Sequence, residues 1–186
     1  METKRHLLKE QIKKISIRGR MVIGIICLEN VFKYNEIYDD PLKELLGKLK
    51  EFTCSNSLDV WDKQINEYDP VTILDDHPGN NFDEYQFLNK EELLNLKDIY
   101  LNIPRQVLNC ISYAIEIGTS NLYGGTEKYS PLSLEPTLKI IELSGHENSI
   151  KTIINDLIQK TPFEDKNGWG KVFNSNETTN KFHSSN

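Results

Sequence analysis

The 186-residue sequence has no long hydrophobic run. Its longest apolar stretch, residues 21–28, has eight residues, whereas a helix that crosses a membrane needs about 20. The residues that follow it, 29–33, lack the small side chains of a signal-peptide cleavage site. We therefore interpret this stretch as a buried helix and expect no membrane partner.

Cysteine is scarce as well. The three cysteines, Cys27, Cys54 and Cys110, are odd in number and lie far apart among apolar neighbours. Such a set does not form the disulfide framework that small secreted proteins use. We predict reduced thiols in the core of a cytoplasmic protein.

Residues that carry chemistry are few and isolated. None of the four histidines has a second His or a Cys at the spacing that places two ligands on one helix face. His77 follows Asp75 and Asp76, a pairing that could form a base and its orienting carboxylate, yet the Pro-Gly-Asn sequence after it is typical of a solvated turn. Cys110 lies in an apolar helical stretch without an activating neighbour. No nucleophile elbow or phosphate-binding glycine motif is present. The sequence predicts no enzyme, no bound metal and no cofactor.

What the sequence does have is helical periodicity. Apolar residues recur every three or four positions through most of the chain, and lysines and glutamates fill the opposite faces. Strand signals are confined to residues 14–18, where Ile15 and Ile17 alternate with polar residues. We predict an all-α fold, with one helical domain of about six to eight helices over residues 1–173 and a flexible polar tail over residues 174–186.

Several local patterns locate particular elements. Asn89 and Glu92 have the spacing of a capping box, which predicts a helix start. After Pro104, the stripe over residues 107–118 carries few charges and predicts the most buried helix. Residues 70–81 concentrate turn formers and predict a surface loop. Residues 123–125 and 168–170 predict sharp turns whose aromatic rings pack onto the helices.

Charge is distributed unevenly along the chain. Residues 58–98 contain eleven acidic and three basic side chains, a net charge of −8, whereas the whole chain carries only −6. Residues 2–20 carry seven bases and two acids, a net charge of +5. A clustered negative surface repels nucleic acid and attracts basic partners. The acidic segment is therefore either a solvated face or the binding surface for a basic partner.

Aromatic side chains are interleaved with these acids, and aromatic residues anchor many protein interfaces. We predict that the segment binds a partner protein and that nucleic acid is not a direct ligand. The alternative is a small helical regulator that holds nucleic acid through its basic N-terminal segment. The predicted partner-binding residues are Asp59, Trp61, Asp62, Glu67, Asp69, Asp75, Asp76, Asp83, Glu84, Tyr85 and Phe87.

Three segments add a resemblance to this picture: Leu-Asn-Ile-Pro at residues 101–104, Ile-Glu-Ile-Gly-Thr-Ser-Asn-Leu-Tyr-Gly-Gly at 115–125, and Gly-Trp-Gly-Lys-Val-Phe at 168–173. In a small acidic helical domain, they resemble bacterial immunity proteins encoded beside polymorphic or contact-dependent-inhibition toxins. The resemblance covers residues 85–173. It implies a chain that binds a cognate toxin domain of the nuclease class one-to-one and occludes its active site inside the producing cell. Immunity families share no functional residues, so none is transferred to this chain. We expect the free chain to be a monomer or a weak homo-oligomer.

Overall fold

A computed structural model describes residues 2–75 and 85–174 of the chain. Over these residues the fold is all-α, as predicted, with no β-strand and with nine α-helices. Residues 175–186 of the predicted tail lie outside the described residues. The helices are α1 Glu2–Ile12, α2 Ile17–Tyr34, α3 Asp40–Cys54, α4 Asp59–Asn66, α5 Pro70–Asp75, α6 Lys90–Asn102, α7 Arg105–Thr119, α8 Pro131–Ser144 and α9 Glu147–Lys160.

Three helices, α2, α7 and α8, pack against one another and form the centre of one hydrophobic core. On one side α3 lies against α2, α4 against α3 and α7, and α6 against α5, which itself contacts α7. On the other side α1 and α9 contact each other and α8. The helices over residues 59–102 thus pack on α3 and α7, whereas α1 and α9 pack on α8.

The most buried helix is α2, not α7 as the charge-poor stripe predicted. Thirteen of the 18 residues of α2 are buried, against seven of 15 in α7. Helix α2 packs against α3, α7 and α8, and its buried residues include the charged Arg18 and Arg20. The close approach of these helices depends on glycine. A Cβ atom on Gly24 would stand 2.9 Å from Cδ1 of Ile117, and one on Gly118 would stand 2.9 Å from Cε of Met21.

The structure confirms one helix start that the sequence predicted. Asn89 Oδ1 accepts from the backbone N–H of Glu92 at 3.1 Å, and the Glu92 carboxylate accepts from the N–H of Asn89 at 2.8 Å, which confirms the capping box. The predicted loop over residues 70–81 is wrong in its first part, since Pro70–Asp75 forms α5. Burial of Pro70 and of Ile73, which is 1% exposed, gives this short helix a place on the core. The predicted pairing near Ile15 is a single antiparallel bridge to Pro162.

A buried arginine in the first turn of α2 joins that helix to the turn before α8. The side chain of Arg20 is fully buried. Its Nη1 donates to the carbonyl of Ser130 and to Oγ of Ser133, both at 2.8 Å, and its Nη2 donates to the carbonyl of Tyr129 at 2.7 Å. Burial lowers the pKa of Arg20 to about 9, so the guanidinium is charged at neutral pH. Five donors in a rigid fork can satisfy several carbonyls at once.

The same guanidinium also caps α1. Its Nε donates to the carbonyl of Ile12 and its Nη2 to that of Lys13, each at 3.4 Å. Carbonyls in the last turn of a helix have no intrahelical donor, and the negative end of the helix dipole favours a cation there. Arg18 caps the end of α3 in the same way. Its guanidinium donates to the carbonyl of Phe52 and, at 2.8 Å, to the carbonyl of Ser55. Two side chains of α2 thus complete the ends of two neighbouring helices.

Replacing Arg20 by methionine should destabilise the protein strongly. The apolar side chain has a comparable length but leaves the buried carbonyls of Tyr129 and Ser130 without these donors, and we expect the free energy of unfolding to fall by about 2–4 kcal/mol. Urea unfolding followed by circular dichroism measures the loss. Lys14→Met is the matched control, because Lys14 is an exposed base in the same segment, and its effect should stay within about 0.5 kcal/mol. Equal stability of R20M and the parent would show that the desolvation cost of the cation cancels its hydrogen bonds.

The three cysteines differ in accessibility. Cys27 and Cys110 are fully buried, and burial raises the pKa of Cys27 to about 12 and of Cys110 to about 11. Cys54, the last residue of α3, is half-buried. All three are free thiols.

We expect one thiol of the native protein to react with an aromatic disulfide reagent at neutral pH, and that thiol should be Cys54. Only the thiolate is nucleophilic, and burial suppresses it at the other two positions. Absorbance of the released thiol should indicate one equivalent in native buffer and three in denaturant. A Cys54→Ser variant should lose the native equivalent. Rapid labelling of Cys27 or Cys110 in the folded state would contradict the core packing described above.

Candidate partner-binding surface

Seven carboxylates of residues 58–98 lie on α4, α5 and α6 and in the turns beside them. In the described chain, none lies within 4.0 Å of a lysine or arginine nitrogen, whereas carboxylates on α1, α3, α8 and α9 form such ion pairs. The negative charge of this segment is thus not neutralised within the described molecule. We call this set the acidic surface: Asp59, Glu67, Asp69, Asp75, Glu91, Glu92 and Asp98.

Glu67 uses its carboxylate to hold the chain that precedes α6. Its Oε1 accepts from the N–H of Gln86 at 2.7 Å, and its Oε2 accepts from those of Phe87 at 3.0 Å and Leu88 at 2.8 Å. Three successive backbone donors turned toward one anion form an anion-binding nest. Leu88 is buried while Phe87 remains 39% exposed. The predicted site residue Glu67 therefore positions Phe87 at the surface.

Asp62 is a buried positioning residue. It is 6% exposed, accepts from Nδ2 of Asn66 at 3.1 Å and accepts from the hydroxyl of Tyr123 at 2.7 Å. The hydrogen bond to Asp62, the charge of Asp62 and that of Asp59 raise the pKa of Tyr123. Tyr123 is 85% exposed, so the prediction that its ring packs onto the helices is wrong. Gly124 and Gly125 indicate the turn in the sequence, and Gly125 adopts φ +67°. No sequence signal identifies Asp62 as the partner of Tyr123, because the two residues lie 61 positions apart.

Trp61 does not belong to the surface, which corrects its prediction as an interface anchor. Its ring is 3% exposed, lies 4.7 Å from the ring of Phe52 and donates from Nε1 to the carbonyl of Lys48 at 2.7 Å. A methyl group on Gly118 would collide with this ring, which shows how closely α4 packs on α7. The exposed aromatic residues beside the acids are Phe87 and Tyr123 instead.

The remaining predicted residues occupy several environments. Asp69 is half-buried and accepts from Oγ of Ser112 at 2.8 Å and from the N–H of Val71 at 3.1 Å, so it joins α5 to α7. Asp59 and Asp75 are exposed. Tyr85 is half-buried and packs against the core. Three further predicted residues lie outside the described residues: Asp76, Asp83 and Glu84.

The basic N-terminal segment has few cations available for phosphate groups. Arg18 and Arg20 are buried. Arg5, Lys9 and Lys13 each pair with a carboxylate, Lys9 with Glu135 and Lys13 with Glu10 at 2.6 Å. Lys14 is exposed. Five of the seven bases on which the nucleic-acid alternative rests are therefore engaged within the molecule.

Among residues 2–75 and 85–174, no group of three His, Cys, Asp or Glu side chains has the geometry to hold a metal ion. None of the helices in that part of the chain combines the length and the apolar character that a membrane span requires. No family model, curated protein or solved structure matches this chain.

Glu67→Ala should release the segment over residues 86–88. Without the carboxylate, three backbone N–H groups lose their acceptor, and their hydrogen exchange should accelerate by about tenfold or more, which corresponds to about 1.4 kcal/mol. Exchange measured by NMR or mass spectrometry over peptides that contain residues 85–89 tests this. Glu91→Ala is the matched control, because Glu91 is exposed and its side chain has no hydrogen bond to the described residues. Unchanged exchange in E67A would mean that burial of Leu88 alone holds the segment.

Proposed function

We propose that this chain is an immunity protein, which binds a basic toxin domain through the acidic surface and thereby blocks the toxin's active site. One observation carries the proposal: seven carboxylates of a single segment, residues 58–98, have no lysine or arginine partner in the described chain. The resemblance at residues 101–104, 115–125 and 168–173 supplies the class of partner. The mechanism is occlusion by a preformed helical surface, and it requires no catalytic group, metal or cofactor.

Electrostatics favours a basic partner at this surface. Like charges held close together raise the free energy of the free protein, and a partner's lysines and arginines would relieve that repulsion. A nuclease must hold phosphates and therefore lines its substrate path with cations. An acidic surface that competes with the substrate for those cations would both accelerate association and exclude the nucleic acid.

Two exposed aromatic side chains offer desolvated contacts within this charged surface. Glu67 holds the backbone of Phe87, and Asp62 accepts a hydrogen bond from the hydroxyl of Tyr123, which holds the Tyr123 ring. A ring that is already ordered loses little conformational entropy on binding, which is why rigid aromatic residues are frequent anchors of interfaces. Val60 and Val71, each at least half exposed, add apolar area on α4 and α5.

The proposal is tested with the toxin domain encoded beside this chain's gene. Co-expression should rescue growth of cells that produce that domain, and the two chains should co-elute one-to-one. The triple variant Asp59→Lys, Asp75→Lys and Glu91→Lys should then lower the association rate constant by about tenfold or more at low salt, with a smaller difference at high salt.

The matched control is the triple variant Glu127→Lys, Glu147→Lys and Glu164→Lys. These three acids are also exposed, and the net charge changes by the same amount. Like Asp59 in α4, Glu147 is the first residue of its helix, so these two substitutions stand at the same position relative to a helix dipole. A control that binds as slowly as the test variant would place the toxin elsewhere. A neighbouring domain that this chain neither binds nor neutralises would overturn the proposed function.

A further inference from the structure

A cavity of about 310 Å³ lies where four helix ends meet, apart from the acidic surface. The end of α2, the start of α7, the end of α8 and the residue before α9 contribute its walls. Val31, Pro104, Val107 and Leu143 make much of the lining apolar. A volume at the lower end of the range for ligand pockets suits a compound with one or two rings.

The lining contains no Asp, Glu, Lys or Arg. A cation would lose hydration there without gaining a counter-charge, and the other polar side chains of the lining are amides, hydroxyls and the imidazole of His146, so the lining favours a neutral ligand. Tyr34 forms part of the wall and is 83% exposed, so its aromatic ring is accessible to a ligand beside the apolar residues. These features select a neutral compound that can stack on a ring.

Two lining amides have oxygen atoms that accept no hydrogen bond from the described residues. Asn35 donates from Nδ2 to the carbonyl of Val31 at 2.8 Å, and Gln106 donates from Nε2 to the carbonyl of Leu143. These bonds fix both –NH₂ groups, while neither amide oxygen accepts a hydrogen bond from the described residues. An amide whose nitrogen is committed presents its oxygen as an acceptor. The ligand should therefore bring an N–H or O–H donor.

We propose that this cavity binds a small neutral ring compound that carries one N–H or O–H donor. The apolar body lies against Val107 and Leu143, the ring stacks on Tyr34, and the donor bonds an amide oxygen of Gln106 or Asn35. The site is separate from the acidic surface, and it does not depend on the function proposed above.

Indole is the probe, because it has the required size, neutrality and single N–H. In ¹H–¹⁵N spectra of the full chain, indole should shift the amide signals of Val107 and Gly145 in a saturable manner, with a dissociation constant at or below about 1 mM. Indene has the same shape without the donor, and it should bind about threefold to tenfold more weakly. Absence of saturable shifts with indole would overturn the site, and equal affinity for indene would overturn the role of the donor.

Three variants locate the binding. Tyr34→Ala should weaken indole binding at least about threefold, because it removes the stacking face. Tyr38→Ala should leave the affinity unchanged, since Tyr38 is also exposed but does not line the cavity. Gln106→Leu removes one of the two amide oxygens, and it should bring the dissociation constants of indole and indene closer together. An effect of Tyr38→Ala equal to that of Tyr34→Ala would place the indole outside the cavity and overturn the proposal, as would an unchanged affinity in Tyr34→Ala.

Discussion

The fold depends on the burial of two cations in the first turn of α2. Arg18 and Arg20 are placed at the positive end of the helix dipole and away from water, two locations that each disfavour a positive charge. They remain there because carbonyl groups at the ends of α1 and α3 and in the turn before α8 need donors that their own segments do not supply. Arg20 donates to four carbonyls and Arg18 to two. Through these hydrogen bonds the two buried charges join α2 to three other parts of the chain.

This arrangement explains why α2 lies at the centre of the core. The first turn of α2 binds the ends of α1 and α3, and the apolar stretch over residues 21–28 fills the space between α3, α7 and α8. Ser133 is the α8 side chain that joins this helix to α2. It lies inside the first turn of α8, where its hydroxyl accepts from Arg20. The polar contacts thus fix the register at which the apolar surfaces meet.

Sequence reasoning succeeds where a signal and its structural effect are close in the chain. The capping box of Asn89 and Glu92 and the glycine that ends α8, Gly145 with φ +70°, are both local, and both could be recognised. The all-α class follows from periodicity. The roles of Arg20, Glu67 and Asp62 could not be recognised, because their partners lie between 19 and 113 residues away or are backbone groups, which every residue has. Trp61 illustrates a further limit, since an aromatic residue at helical spacing fits the core and an interface equally well until its neighbours are known.

The structure shows which of the charged side chains pair within the molecule, and the sequence alone does not. The sequence has a basic N-terminal segment and an acidic middle segment, and these two opposite charges could in principle neutralise each other. Instead the bases are used as internal donors and in ion pairs with carboxylates of α1 and α8, two helices that share no extensive contact with α4, α5 or α6. The fold therefore separates the two charge clusters and leaves the negative one without a counterpart in the described chain. Repulsion among carboxylates destabilises the folded state slightly, and a basic partner would remove that cost on binding. The same feature that makes this surface unfavourable for the isolated protein is what would make it selective for a basic partner.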